Sequence, residues 1–162
     1  MTGAWDSRIA AVVVAARGGD DLARALARAA WADERLVLDP TQRVEPAGLP
    51  AGTRHVVDPA RLAEATTAEW LVLLGENDLF DAPASAAVRD AVGGATSGDG
   101  FALPVETRTL DLELDAGTSM MVAPRRTRVV VRRGSAIGLD AGGLRVRRLA
   151  ASVVRERGAS LT

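Results

Sequence analysis

The stretch "RIAAVVVAARGGDDLARALARAAWADERLVLD", Arg8 to Asp39, sets the expected architecture. Its opening run, Arg8 to Arg17, is continuously small and β-branched, without polar alternation. Such a run, stopped by Gly18 and Gly19, predicts a strand buried on both faces. After the glycines the period changes from two to 3.6. Leu22, Leu26, Ala29 and Ala30 share one helical face, and Asp20 or Asp21 is placed to cap the helix. "ERLVLD" then reads as a second short strand ending at Asp39.

The same order recurs downstream. Pro40, Pro46, Gly48, Pro50 and Gly52 mark a loop. "RHVVD" is a third strand, "PARLAEATTA" a helix with Pro59 in its first turn, and "EWLVLLG" a fourth strand. Strand, helix and strand in alternation predict a parallel sheet with crossover helices. The strands ending at Asp39 and Gly75 should both flank the first, so that Asp39 and Glu76 open onto one crevice at the carboxyl edge. Beyond Asp81, "APASAAVRDAV" predicts a helix stopped by Gly93 and Gly94. "TLDLELD" predicts a half-buried strand with Leu110, Leu112 and Leu114 inward and Asp111, Glu113 and Asp115 solvated. "SMMVAP" and "RVVVRR" predict strands that pair as a hairpin across Pro124 to Thr127. "LRVRRLAASVVRERG" can start as strand and end as helix. One domain is expected over 1–162, with an α/β half at 1–95 and a β-rich, Arg-rich half at 96–162.

Composition excludes several chemistries. The 162 residues contain no Cys and no Lys. Disulfides, thiolate metal sites, cysteine nucleophiles and Schiff-base or P-loop lysines are therefore absent. No apolar run is long enough for a membrane span. Residues 1–8 lack a basic segment leading into an apolar one, so a cytoplasmic location is expected. Net charge is −1, unevenly spread. Residues 1–123 hold 10 Arg and 19 acids, whereas 124–162 hold 10 Arg and two acids. This split predicts that the basic part meets an acidic surface, in this chain or another.

Three segments carry a family resemblance. "AAVVVAARGGDDLARALARAAWADERLVLD" and "ARLAEATTAEWLVLLGEND" resemble the first strand, helix and second strand, and then the helix and strand preceding the Asp-x-Asp motif, of family 2 glycosyltransferases. "RVVVRRG" resembles the basic-ended strand on that family's acceptor side. The resemblance is good over the first half of the chain and poor over the second. It implies an α/β, GT-A-like (Rossmann-like) fold, with a mainly parallel sheet flanked by helices and a β-rich C-terminal part. It also implies a nucleotide-sugar donor, with Ala15, Ala16 and Arg17 at the nucleotide-binding turn and Asp39 on the base or ribose.

The departures point away from catalysis. The motif positions are Gly75, Glu76 and Asn77, followed by Asp78. Both motif carboxylates that would hold a divalent cation against a diphosphate are missing. No metal site is assigned, and Mn²⁺ or Mg²⁺ is expected only with residual transfer activity. No carboxylate occurs in "MMVAPRRTRVVVRR", where the catalytic base is expected. The sequence thus predicts a glycosyltransferase-like protein with lost or much reduced transfer, or a pseudoenzyme that acts through a homodimer or a partner enzyme. Met120, Met121, Val122 and Val129 to Val131 are the apolar residues offered for such an interface. The lone histidine, His55, reads as structural, with no Ser or Asp partner evident for a triad. Arg125, Arg126, Arg128, Arg132, Arg133, Arg145, Arg147 and Arg148 form a basic stretch. With 3% aromatics, it is not favoured as a nucleic-acid site.

Overall fold

The computed structural model describes residues 7–16, 18–96, 98–108, 118–131, 137–140 and 142–156. The first strand, β1 (Ile9–Val14), lies between β2 (Glu34–Leu38) and β4 (Trp70–Gly75), and all three run parallel. Strand β3 (Thr53–Val56) adds to β2, also parallel. The expected neighbours of β1 are therefore in place, and Asp39 and Glu76 follow β2 and β4 at the same edge of the sheet, both buried.

The expected helix-flanked, mainly parallel sheet is not what forms. The protein is mostly β, with one curled, mixed sheet and few helices. Its nine strands include the order β3-β2-β1-β4, then β7 (Thr118–Pro124), β6 (Asp99–Arg108), β11 (Val153–Glu156) and β5 (Asp78–Leu79), with β10 (Arg145–Arg148) also paired to β6. Strand β7 joins β4 antiparallel, and β6 joins β7 antiparallel. Strands β10 and β11 pair parallel with the two ends of β6. Two features divert the chain from the expected plan. The β2–β3 connection is a loop with one 3-10 turn at Pro46–Gly48, and the β3–β4 connection holds only a 3-10 helix at Pro59–Glu64. Neither is long enough to cover a sheet face as an α-helix does. The second half then supplies strands in place of further crossover helices.

The curl follows from connectivity. Strand β5 follows β4 after the two-residue turn Glu76–Asn77, yet β7, β6 and β11 stand between them in the sheet. In a flat sheet four steps of ~4.8 Å separate such strands. Three Cα–Cα links reach only ~11 Å. The sheet must roll for β5 to meet β11, which it pairs antiparallel.

Alternation along the strands splits the core into two layers. Ile9, Ala11 and Val13 with Trp70, Val72 and Leu74 face one side. Helix α1 (Gly19–Arg28) and helix α2 (Ala82–Gly93) cover it. Helix α1 buries Leu22, Ala25, Leu26 and the following Ala29, whereas Ala30 is exposed. Asp81 caps α2 by accepting from the Ala84 N–H at 3.0 Å. Ala10, Val12, Leu36, Leu38 and Leu71 face the other side. There Leu62 of the 3-10 helix and the small sheet of β8 (Val129–Val131) and β9 (Ile137–Leu139) supply the cover.

Strand β8 pairs with β9 and not with β7, so the hairpin expected across Pro124 to Thr127 does not form. Residues 145–156 of "LRVRRLAASVVRERG" make two strands. The expected strand "TLDLELD", with Leu110, Asp111, Leu112, Glu113, Leu114 and Asp115, lies outside the described residues, as do Arg132 and Arg133. No helix among the described residues is long and apolar enough to cross a membrane.

Candidate functional site

The carboxyl ends of β1, β2 and β4 converge where ligands of open parallel sheets are usually held. After β1 the chain passes through Ala15 and Ala16 into two glycines with positive φ, Gly18 at 74° and Gly19 at 63°. Only glycine takes this region without steric cost. Gly18 is the residue preceding α1, with no side-chain cap. Asp20 and Asp21 sit inside the first helical turn, where they complement the helix dipole instead of capping it. Arg17 lies outside the described residues.

This turn directs two backbone donors at one atom. Glu76 Oε1 accepts from the Ala16 N–H at 2.8 Å and from the Gly18 N–H at 2.9 Å. Glu76 is 5% exposed. It follows β4 directly, so the β4–β5 turn swings its carboxylate to the N-terminal end of α1. That is the anion-binding position of a strand–turn–helix unit. The chain fills the position with its own acid.

Asp39 is fully buried and equally committed. Its Oδ1 accepts from the Arg43 N–H at 2.9 Å. Its Oδ2 accepts from the Val44 N–H at 3.0 Å and lies 2.8 Å from His55 Nε2. Burial pushes the Asp39 pKa upward, but the His55 hydrogen bond and the two amides outweigh it, and the net shift is downward. His55 therefore does have an acidic partner, and the pair organises a loop. From that loop Arg43 Nη1 donates to the Ala16 carbonyl at 3.0 Å. Ala16 is gripped from both sides, by Glu76 through its N–H and by Arg43 through its C=O.

The Gly75–Asp78 turn closes on itself too. Asp78 Oδ2 accepts from the Gly75 N–H at 2.7 Å. A Cβ added at Gly75 would lie 3.4 Å from that same oxygen. Asn77, at the turn, is exposed. Among the described residues no group of three or more His, Cys, Asp or Glu side chains could hold a metal ion.

The segments behind the family resemblance have structural work of their own. Trp31 stacks on Phe80, with centroids 4.7 Å apart and planes at 10°. Asp33 accepts from the Ile9 N–H at 2.8 Å and from Arg89 Nη1 at 3.1 Å. Glu34 accepts from the Thr67 hydroxyl at 2.9 Å. The run Trp31–Glu34 thus ties the start of β2 to β1, α2 and the approach to β4.

The basic stretch divides among separate places. Arg125 donates to the Ala63 and Thr66 carbonyls and pairs with Glu69. Arg126 and Arg128 line an open cavity of about 520 Å³ with Asp140 and Leu144. Arg145 pairs with Asp99 at 3.2 Å, and Arg147 lies 5.2 Å over the Phe101 ring. The apolar residues offered for a dimer are partly spent inside the chain. Met120 and Val122 are buried, and Met121 and Val129 pack against the second core layer.

Sequence reasoning placed Ala15, Ala16, Asp39 and Glu76 at one edge. It missed that His55 joins Asp39 and that Glu76 meets Ala16 and Gly18. The only signal in the sequence was the glycine pair, which leaves backbone N–H groups needing an acceptor. No protein-family profile and no curated protein matches the sequence.

Proposed function

We propose that the chain is a glycosyltransferase-like protein that has lost sugar transfer and acts by binding a partner enzyme or a second copy of itself. The observation that carries this reading is the Glu76 carboxylate on the Ala16 and Gly18 amides. A donor diphosphate would need that position, and a tethered internal acid competes with it at high effective concentration. Asp39 supports the same reading, because both its oxygens already accept hydrogen bonds. Gly75 and Asn77 supply no charged ligand for a cation that would bridge a diphosphate.

The test is thermal denaturation with nucleoside diphosphates and nucleotide-sugars, with and without Mn²⁺. A ligand at a hundred times its Kd stabilises a fold by about 2.7 kcal/mol. For a chain of this size that is a rise of roughly 5–10 °C in Tm. No rise is expected. A rise of that size, with sugar turnover, would restore the transferase reading, in which a metal-bound nucleotide-sugar displaces Glu76.

A further inference from the structure

Strand β10 offers an open edge with an unusual surface. Its partner is the Asp99–Ala102 portion of β6, and no strand pairs with its other side among the described residues. The Arg145 N–H donates to the Gly98 carbonyl and the Leu149 N–H to the Ala102 carbonyl, both at 2.8 Å. Backbone groups alternate in direction along a strand. Those of Val146 and Arg148 therefore point away from β6, toward solvent. All four residues of β10 are exposed.

The side chains give this edge a pattern. Arg145 and Arg147 stand on the α2 side. They rim a cavity of about 350 Å³ with Asp90, Ala91 and Phe101. Val146 and Arg148 alternate with them and present their side chains to the opposite face of the strand, although Val146 also borders the cavity. Val146, at 45% exposure, is the exposed large hydrophobic residue among those described. Arg145 meets Asp99 and Thr96, but its side chain is 77% exposed, and a guanidinium has donors to spare.

We propose that β10 is a docking edge for an extended acidic peptide of another protein, which adds to the sheet as a further strand. The outward backbone groups of Val146 and Arg148 would supply the ladder bonds. Acids would stand opposite Arg145, Arg147 and Arg148, and an apolar residue opposite Val146, giving an acid–apolar–acid–acid pattern. Charge selects this occupant. Antiparallel pairing of two β10 strands would set arginine against arginine, which is destabilising. Nucleic acid lacks a stacking surface here, because Arg147 covers Phe101. No residue of the Glu76 site takes part in this edge, so a negative or positive result with nucleotides leaves the role of β10 unchanged.

The test is fluorescence anisotropy with two fluorescein-labelled peptides added to the full chain, one centred on Glu-Val-Glu-Glu for parallel pairing and one on Glu-Glu-Val-Glu for antiparallel pairing. Saturable binding of one of them that weakens with salt is expected. That same peptide, N-methylated on the residues whose amides face β10, should bind about tenfold or more weakly, since it loses its ladder donors. Arg147→Glu with Arg148→Glu should abolish binding. Val146→Pro should weaken it while leaving the bonds to β6, and the unmodified melting curve checks that this variant folds. No binding of either peptide, or equal binding of the methylated peptide, would overturn the proposal. So would a dimer in sedimentation that Val146→Pro dissolves, which would make β10 a self-pairing edge.

Discussion

Glu76 Oε1 lies 2.8 Å from the amide nitrogen of Ala16, sixty residues earlier in the chain. The contact joins the end of β4 to the start of α1 and places a carboxylate where the helix dipole and two free amides favour one. It makes the most sequence-conspicuous turn of the molecule a structural lock.

Removing the lock should be costly. Glu76→Ala leaves the Ala16 and Gly18 amides without an acceptor, and about 2–4 kcal/mol of stability should be lost. Glu76→Gln keeps a neutral acceptor and should lose about 1 kcal/mol. Urea denaturation of the three proteins would measure the order, and an Ala variant as stable as the Gln variant would contradict it.

The backbone of the turn should be as sensitive as its side chain. A Cβ at Gly18 meets no atom within 4 Å, so only its φ of 74° opposes a larger residue. With ψ at −154° this is a region essentially restricted to glycine, so Gly18→Ala should cost about 1–3 kcal/mol, from strain alone. Gly93→Ala, at the end of α2 with no positive φ and no neighbour within 4 Å, serves as the control and should be neutral or slightly stabilising.

Asp39 should make the protein acid-sensitive. Its folded pKa lies below the unfolded value of 3.8. The stabilisation is therefore present above about pH 4 and is lost as pH falls through the folded pKa. Asp33 and Glu34 are also shifted down: burial raises each, and hydrogen bonds from Arg89 and from Thr67 respectively outweigh it. Both are partly exposed, so solvent screening reduces their share. The urea midpoint should fall steeply below pH 4. Asp39→Asn should lower it at pH 7 by about 2–4 kcal/mol in stability and flatten the acid limb. An unchanged acid limb in that variant would assign the sensitivity elsewhere.

Divalent metal should have little effect. Mn²⁺ at millimolar concentration is expected to leave the melting temperature where it was, since Asp78 is turned onto the Gly75 amide and Asn77 offers no charge. Calorimetry showing tight Mn²⁺ binding, abolished by Asp78→Ala, would contradict this.

Several elements were legible because their cause is local. The unbroken Ile9–Val14 run, the 3.6-period of Leu22 and Leu26, and the Asp81–Ala82–Pro83 start of α2 each state their conformation within one turn or strand. The parallel neighbours of β1 were legible as well, because right-handed crossovers leave few orders open. Asp39 and Glu76 could be placed at one edge on that basis. The chemistry of the edge could not be read the same way. Whether Asp39 meets a ribose or His55, and whether the Ala16 and Gly18 amides meet a phosphate or Glu76, depends on the β2–β3 register and on the direction of a two-residue turn.

The sequence by itself determined β1 to β4, α1 and α2 in the first half, the absence of thiol and lysine chemistry, and the lack of carboxylates at Gly75 and Asn77; it did not show that Pro59–Glu64 stops at a 3-10 helix or that Asp78–Leu79 is a strand. The tertiary structure alone decided that β7 lies antiparallel against β4, that β8 leaves it to pair with β9, and that the sheet rolls until β5 meets β11. Periodicity along a segment reports which face is buried and never which strand lies alongside. That choice belongs to contacts between residues far apart in the chain, whose burial and hydrogen bonding become favourable only once the whole sheet has closed.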